Sequence, residues 1–136
     1  MKTYLKKLFL LTGLLPATIL LALTLSFLPS FISDLSFEFD EIVIVVSMLL
    51  GICGYIGLTL SLLSKFENNS LLKLTFLILG LIGSITFTSI TGGKRAWKWV
   101  MNIEEFDEWI IWIWPLIVSI VLIGLNGLKL LRKNKK

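Results

Sequence analysis

The sequence predicts an all-α integral membrane protein, a bundle of four transmembrane helices, and three observations carry that expectation. The chain has 136 residues with 56% hydrophobic content and a mean hydropathy of +0.90, too apolar for a soluble domain of this size. Four apolar runs, at 8–28, 42–63, 71–91 and 109–131, are each roughly 20 residues long, enough helix to cross about 30 Å of hydrocarbon. Charges gather between the runs, acids on one side and bases on the other. Water cannot satisfy backbone groups inside lipid, and the runs lack the alternating period of a barrel strand, so helices are the physical solution. The whole chain, 1–136, reads as one four-helix domain.

The first run follows Lys2, Lys6 and Lys7, as a signal peptide would. It is too long for one and no A-x-A pattern follows, so it reads as the first membrane helix. Within it Gly13, Ala17, Leu20 and Thr24 recur at helical spacing and predict a small-residue contact face. Pro16 lacks an N–H and displaces the bond to the Thr12 carbonyl, which predicts a kink.

The second run carries a similar stripe, Ser47, Gly51, Gly54, Leu58 and Ser61, with Gly57 beside it. Small residues let backbones approach where lipid offers no hydrophobic drive to associate. The third run has Gly80, Gly83 and Ser84, then the hydroxyl-rich stretch Thr86, Thr88, Ser89 and Thr91. Those hydroxyls either bond to carbonyls of their own helix or line a hydrated groove. The fourth run contains Pro115, Ser119, Gly124, Asn126 and Gly127. Asn126 is expected to bond to a neighbouring helix or to reach the interface.

Orientation follows from the bases, which stay cytoplasmic when loops are short. Lys2, Lys6, Lys7, Lys65, Lys73, Lys129, Arg132, Lys133, Lys135 and Lys136 lie on one side, and only Lys94, Arg95 and Lys98 on the other. The acids are reversed, with Glu67 alone among the ten bases and Asp34, Glu38, Asp40, Glu41, Glu104, Glu105, Asp107 and Glu108 opposite. The expected topology is N-in/C-in, in a bacterial inner membrane. A pI near 9.3 points to nucleic acid in a soluble protein, but here the bases flank membrane ends, where they anchor on anionic lipid. Nucleic acid is therefore excluded as a partner.

All five tryptophans, Trp97, Trp99, Trp109, Trp112 and Trp114, fall around the third loop and the start of the fourth run. Tryptophan favours the head-group region, so Trp109, Trp112 and Trp114 are expected to form an aromatic belt. Trp97 and Trp99 interleave instead with Lys94, Arg95 and Lys98, after Gly92 and Gly93. Two structures compete for this segment. Trp99, Ile103, Phe106 and Ile110 recur at helical spacing and predict a short extracytoplasmic amphipathic helix between the third and fourth membrane helices. Alternatively, residues 96–100 pair as a strand with residues 35–40, where apolar and polar side chains alternate. In either case the acidic first loop and the basic start of the third are expected to attract each other.

Most chemistry is excluded by what is missing. There is no histidine, and Cys53 is the one cysteine, so a histidine metal site and paired-thiol redox exchange have no machinery. No cofactor or metal is expected. Gly92-Gly93-Lys94 departs from a phosphate loop at both flanking positions. Asn68-Asn69-Ser70 matches a glycosylation acceptor but falls on the cytoplasmic side. Small proton-coupled exporters need an acid within the membrane, and no run contains one.

The expectation is a non-enzymatic membrane protein, embedded in the lipid bilayer, that binds a protein partner through its extracytoplasmic loops. Lys94, Arg95, Trp97, Lys98 and Trp99 are the candidate contact residues. An immunity protein against a membrane-active toxin and an accessory subunit of a membrane complex both fit this architecture. The alternative is an oligomeric pore, channel or holin-like permeabiliser. There the chain forms a homo-oligomer through its glycine stripes and lines a lumen with third-run hydroxyls.

Overall fold

A computed structural model describes residues 2–33, 38–63, 69–101 and 106–133. Residues 2, 3, 6, 94, 96, 99, 100, 108, 132 and 133 are described as backbone only. The described residues form four helices and no strand: α1 (Lys2–Ser33), α2 (Phe39–Leu62), α3 (Ser70–Met101) and α4 (Phe106–Lys133). Each covers one of the apolar runs, and each holds a stretch of 23 to 27 residues long and apolar enough to cross a membrane. This architecture is that of a multi-pass membrane protein.

The helices form a closed ring in which α1 lies against α2 and α4, and α3 against the same two. The end bearing the α1–α2 and α3–α4 connections is called distal below, and the end bearing both termini is called terminal. Large apolar side chains cover the outside, among them Leu15, Ile19, Val46, Ile82, Ile120 and Leu125. Water would penalise such a surface, but lipid would not.

The α2–α3 seam is the closest. Gly54 and Gly80 meet backbone to backbone, and a Cβ added at Gly54 would fall 2.8 Å from the Gly80 Cα. One added at Gly57 would fall 2.9 Å from the Leu77 nitrogen, and one at Gly83 would fall 2.8 Å from the Ser47 carbonyl oxygen. Glycine is required here because no other residue leaves room for the facing backbone. Gly13 does the same for α1, where an added Cβ would sit 2.8 Å from the Val118 side chain of α4.

Below this seam, toward the terminal end, Leu10, Leu58, Leu77, Val118 and Leu122 close the centre of the ring, each at most 2% exposed. Ala17 joins the same cluster. Half of the predicted α1 stripe, Gly13 and Ala17, is buried, while Leu20 and Thr24 are half-buried. Helix α1 continues through both Pro16 and Pro29 as a single element. A proline removes one backbone bond, and a membrane helix tolerates that where neighbouring groups are satisfied.

Three polar residues, Ser70, Lys73 and Asn126, are buried toward the terminal end. Asn126 is 7% exposed and Lys73 is 5% exposed. Lys73, read from the sequence as a lipid anchor, is instead enclosed and engaged with another group of the protein. Its backbone N–H donates to the Asn69 carbonyl at 3.3 Å in the first turn of α3. A lysine at that depth costs less inside the bundle than against hydrocarbon, since protein groups can solvate it. The glycosylation motif begins at residue 68, outside the described residues.

Candidate functional site

The distal end differs from its prediction in an informative way. Helix α3 runs past the apolar stretch, but Gly93 interrupts it with φ 50° and ψ −139°. Those angles leave the helical region and enter one that side chains rarely permit, so the position requires glycine. The residues that follow, 94–101, return to helix. The basic-aromatic segment is thus a short helical arm set off from α3 by a glycine hinge. The strand reading of residues 96–100 is overturned, and the facing residues 35–37 lie outside the described residues. Of the predicted amphipathic segment from Trp99 to Ile110, residues 99–101 and 106–110 are helical, and 102–105 lie outside the described residues.

Of the predicted contact residues, Arg95, Trp97 and Lys98 are exposed, Trp97 to 42%. Lys94 and Trp99 lie on the same arm, but their side chains are outside the description. Glu38 and Asp40 are exposed at the distal end too. The expected attraction between the loops is not made by these residues: Arg95 and Lys98 form no ion pair with Glu38, Asp40 or another described residue. Exposed charges gain little from pairing in high dielectric, so each remains solvated. The hinge gives a direct prediction. Replacing Gly93 by valine meets no neighbour, since no atom lies within 4 Å of an added Cβ. The expected cost is backbone strain alone, about 1–3 kcal/mol. It is checked by thermal unfolding in detergent alongside Gly92→Val, whose backbone is helical.

The tryptophans do not form one belt. Trp112 stacks on Phe87 with centroids 6.4 Å apart and planes at 10°. Trp114 leans on Phe9, with centroids 6.4 Å apart and planes at 69°. Its indole N–H donates to the Thr12 hydroxyl at 3.3 Å. Phe9 and Thr12 belong to the first third of α1, toward the terminal end, so Trp114 serves helix contact rather than a distal belt. A ring that must bury its body and satisfy its N–H finds both on α1.

Sequence reasoning missed a second feature, a chamber of about 500 Å³ on the bundle axis. All four helices line it. Thr24 comes from α1, Ser47, Gly51 and Tyr55 from α2, Ser84, Thr88 and Thr91 from α3, and Trp112 and Ser119 from α4. Among the described residues, no charged side chain lines it. Its lining residues Leu23, Phe27, Thr91 and Trp112, toward the distal end, are exposed, whereas Ala17, Met48 and Leu58 are buried. The leucine-rich cluster closes the terminal side.

Three of the third-run hydroxyls bond to their own helix and also face the chamber. Ser84, Thr88 and Thr91 line the chamber and also donate to the Gly80, Ser84 and Phe87 carbonyls at 2.7 to 2.9 Å. Thr24, Ser47 and Ser119 do the same to Leu20, Val43 and Pro115. Each hydroxyl spends its proton on its own helix and presents only lone pairs to the chamber. The wall therefore accepts hydrogen bonds and donates few. The signal for the chamber was present in the small-residue stripes, but their spacing cannot say whether small residues bring helices together or leave space between them. Gly54 does the first and Gly51 the second, with no atom within 4 Å of an added Cβ.

Comparisons with protein-family models, curated proteins and solved structures found no match to this chain, so fold and site rest on its own residues.

Proposed function

We propose that the protein is a non-enzymatic integral membrane protein that acts by binding a protein partner through its distal face. In this reading both termini are cytoplasmic and the arm after Gly93 faces outward. The observation that carries it is the arm itself: Arg95, Trp97 and Lys98 are exposed on a helix set off from the bundle by a glycine-only hinge. Aromatic and arginine side chains are the residue types that most often anchor interfaces. An immunity protein against a membrane-active toxin, or an accessory subunit of a membrane complex, would use such a face. The bacterial inner membrane is the proposed location, from the positive-inside rule and the compactness of the chain.

Two observations favour binding over the pore. Of the glycines in the stripes, Gly13, Gly54, Gly57, Gly80 and Gly83 are occupied by contacts within the chain. The third-run hydroxyls face a chamber inside one bundle that Leu10, Leu58, Leu77, Val118 and Leu122 close toward the terminal end. Purified protein reconstituted into dye-loaded liposomes is expected to release no more dye than protein-free liposomes. Reproducible release that scales with the amount of protein would reject the binding reading in favour of the pore.

A further inference from the structure

We propose that the chamber holds one hydrocarbon chain of a zwitterionic phospholipid, inserted from the distal end. The inference rests on the membrane reading above and not on the protein partner. The chamber falls within the usual volume range of ligand sites, about 300–1,000 Å³, and its lining is predominantly apolar and, among the described residues, uncharged. A charged or strongly polar guest would lose its hydration without compensation. Water is the competing occupant, and each water needs two to four hydrogen-bond partners, more than a predominantly apolar wall supplies to a filled chamber. The wall hydroxyls can only accept, because their protons are already given to helix carbonyls. Among the polar lining side chains, Tyr55 and Trp112 alone have a donor not given to a described residue.

A peptide segment would fare worse than water, since its carbonyls would find almost no donor. A hydrocarbon chain makes no such demand. The gradient from exposed Phe27, Thr91 and Trp112 to buried Ala17, Met48 and Leu58 suits a long narrow guest that stops at the leucine cluster. Its headgroup then lies at the distal end, which carries exposed Arg95 and Lys98 as well as exposed Asp40 and Asp107. Both signs are available to a zwitterion.

The test uses the full chain in detergent with a phosphatidylethanolamine carrying a diazirine on one acyl chain. After irradiation, adducts are mapped by mass spectrometry. Adducts on the peptides containing Ser47 and Thr88 are expected, saturating at one lipid per protein and displaced by excess unlabelled phosphatidylethanolamine. Gly51→Phe fills the chamber from a position with open space around its Cβ, and it should lower chamber labelling about tenfold. Labelling at lipid-facing Ile120 and Leu125 should not change. Chamber labelling that is absent, or that neither saturates nor is displaced, would overturn the proposal. So would chamber labelling that persists in a folded Gly51→Phe protein. If that variant fails to fold, saturation and displacement in the native protein decide. A protein that stays dispersed without detergent would count against the membrane reading instead.

Discussion

Gly80→Ala is expected to lower stability by roughly 3 kcal/mol, at the upper end of what overpacking costs. The added methyl group meets the Gly54 backbone, which cannot rotate away as a side chain could. Relief requires α2 and α3 to separate along their whole seam, including Gly57 against Leu77 and Gly83 against Leu50. Gly54→Ala should behave alike, since its Cβ would stand 2.8 Å from the Gly80 Cα. Gly51→Ala supplies the contrast on the same stripe. It meets nothing within 4 Å, and replacing a helical glycine by alanine should be neutral or stabilising by up to about 1 kcal/mol. Thermal unfolding in detergent, followed by circular dichroism, compares all three variants. Equal midpoints for Gly51→Ala and Gly80→Ala would show that the seam is not where the structure places it.

The second large effect is on binding. The triple variant Arg95→Glu, Trp97→Ala, Lys98→Glu is expected to weaken capture of the protein partner at least about tenfold, a loss of roughly 1.4 kcal/mol or more. Thermal stability should stay within about 0.5 kcal/mol of the native protein, as for surface substitutions away from special contacts. The reason is that Arg95 and Lys98 are exposed and form no ion pair with another described residue. Quantitative pull-down from native membranes reads the first quantity and thermal unfolding the second. A drop in stability that accompanies the loss of capture would mean that the arm braces the bundle, and the binding role would have to be withdrawn.

The apolar runs made the four helices legible in the sequence because the bilayer fixes both the length and the hydrogen bonding of a span. Gly13 and Ala17 of the α1 stripe were legible as contact positions, whereas Leu20 and Thr24 of the same stripe line the chamber. The position of the chamber was not legible. Gly51 and Gly54 are three residues apart and identical in kind, and only the facing helix decides that one touches a backbone while the other opens onto space. The arm was legible as a cluster of residue types, not as a shape. Gly92-Gly93 marked a break, but the sequence could not say which glycine takes the positive φ or that helix resumes after it. Trp114 was misassigned because interfacial preference and helix contact use the same ring, and the choice depends on Phe9 and Thr12, a hundred residues away in the chain. Lys73 was misread because a charge near a span end looks alike whether it faces lipid head groups or the bundle.

The arm after Gly93 is the proposed contact surface. A photo-crosslinking amino acid placed singly at Arg95, Trp97 or Lys98, and at Ile120 or Leu125 as lipid-facing controls, can be irradiated in native membranes. A discrete protein adduct from the arm positions and none from the controls is the predicted result. No adduct from any arm position, or the same adduct from arm and control alike, would contradict it.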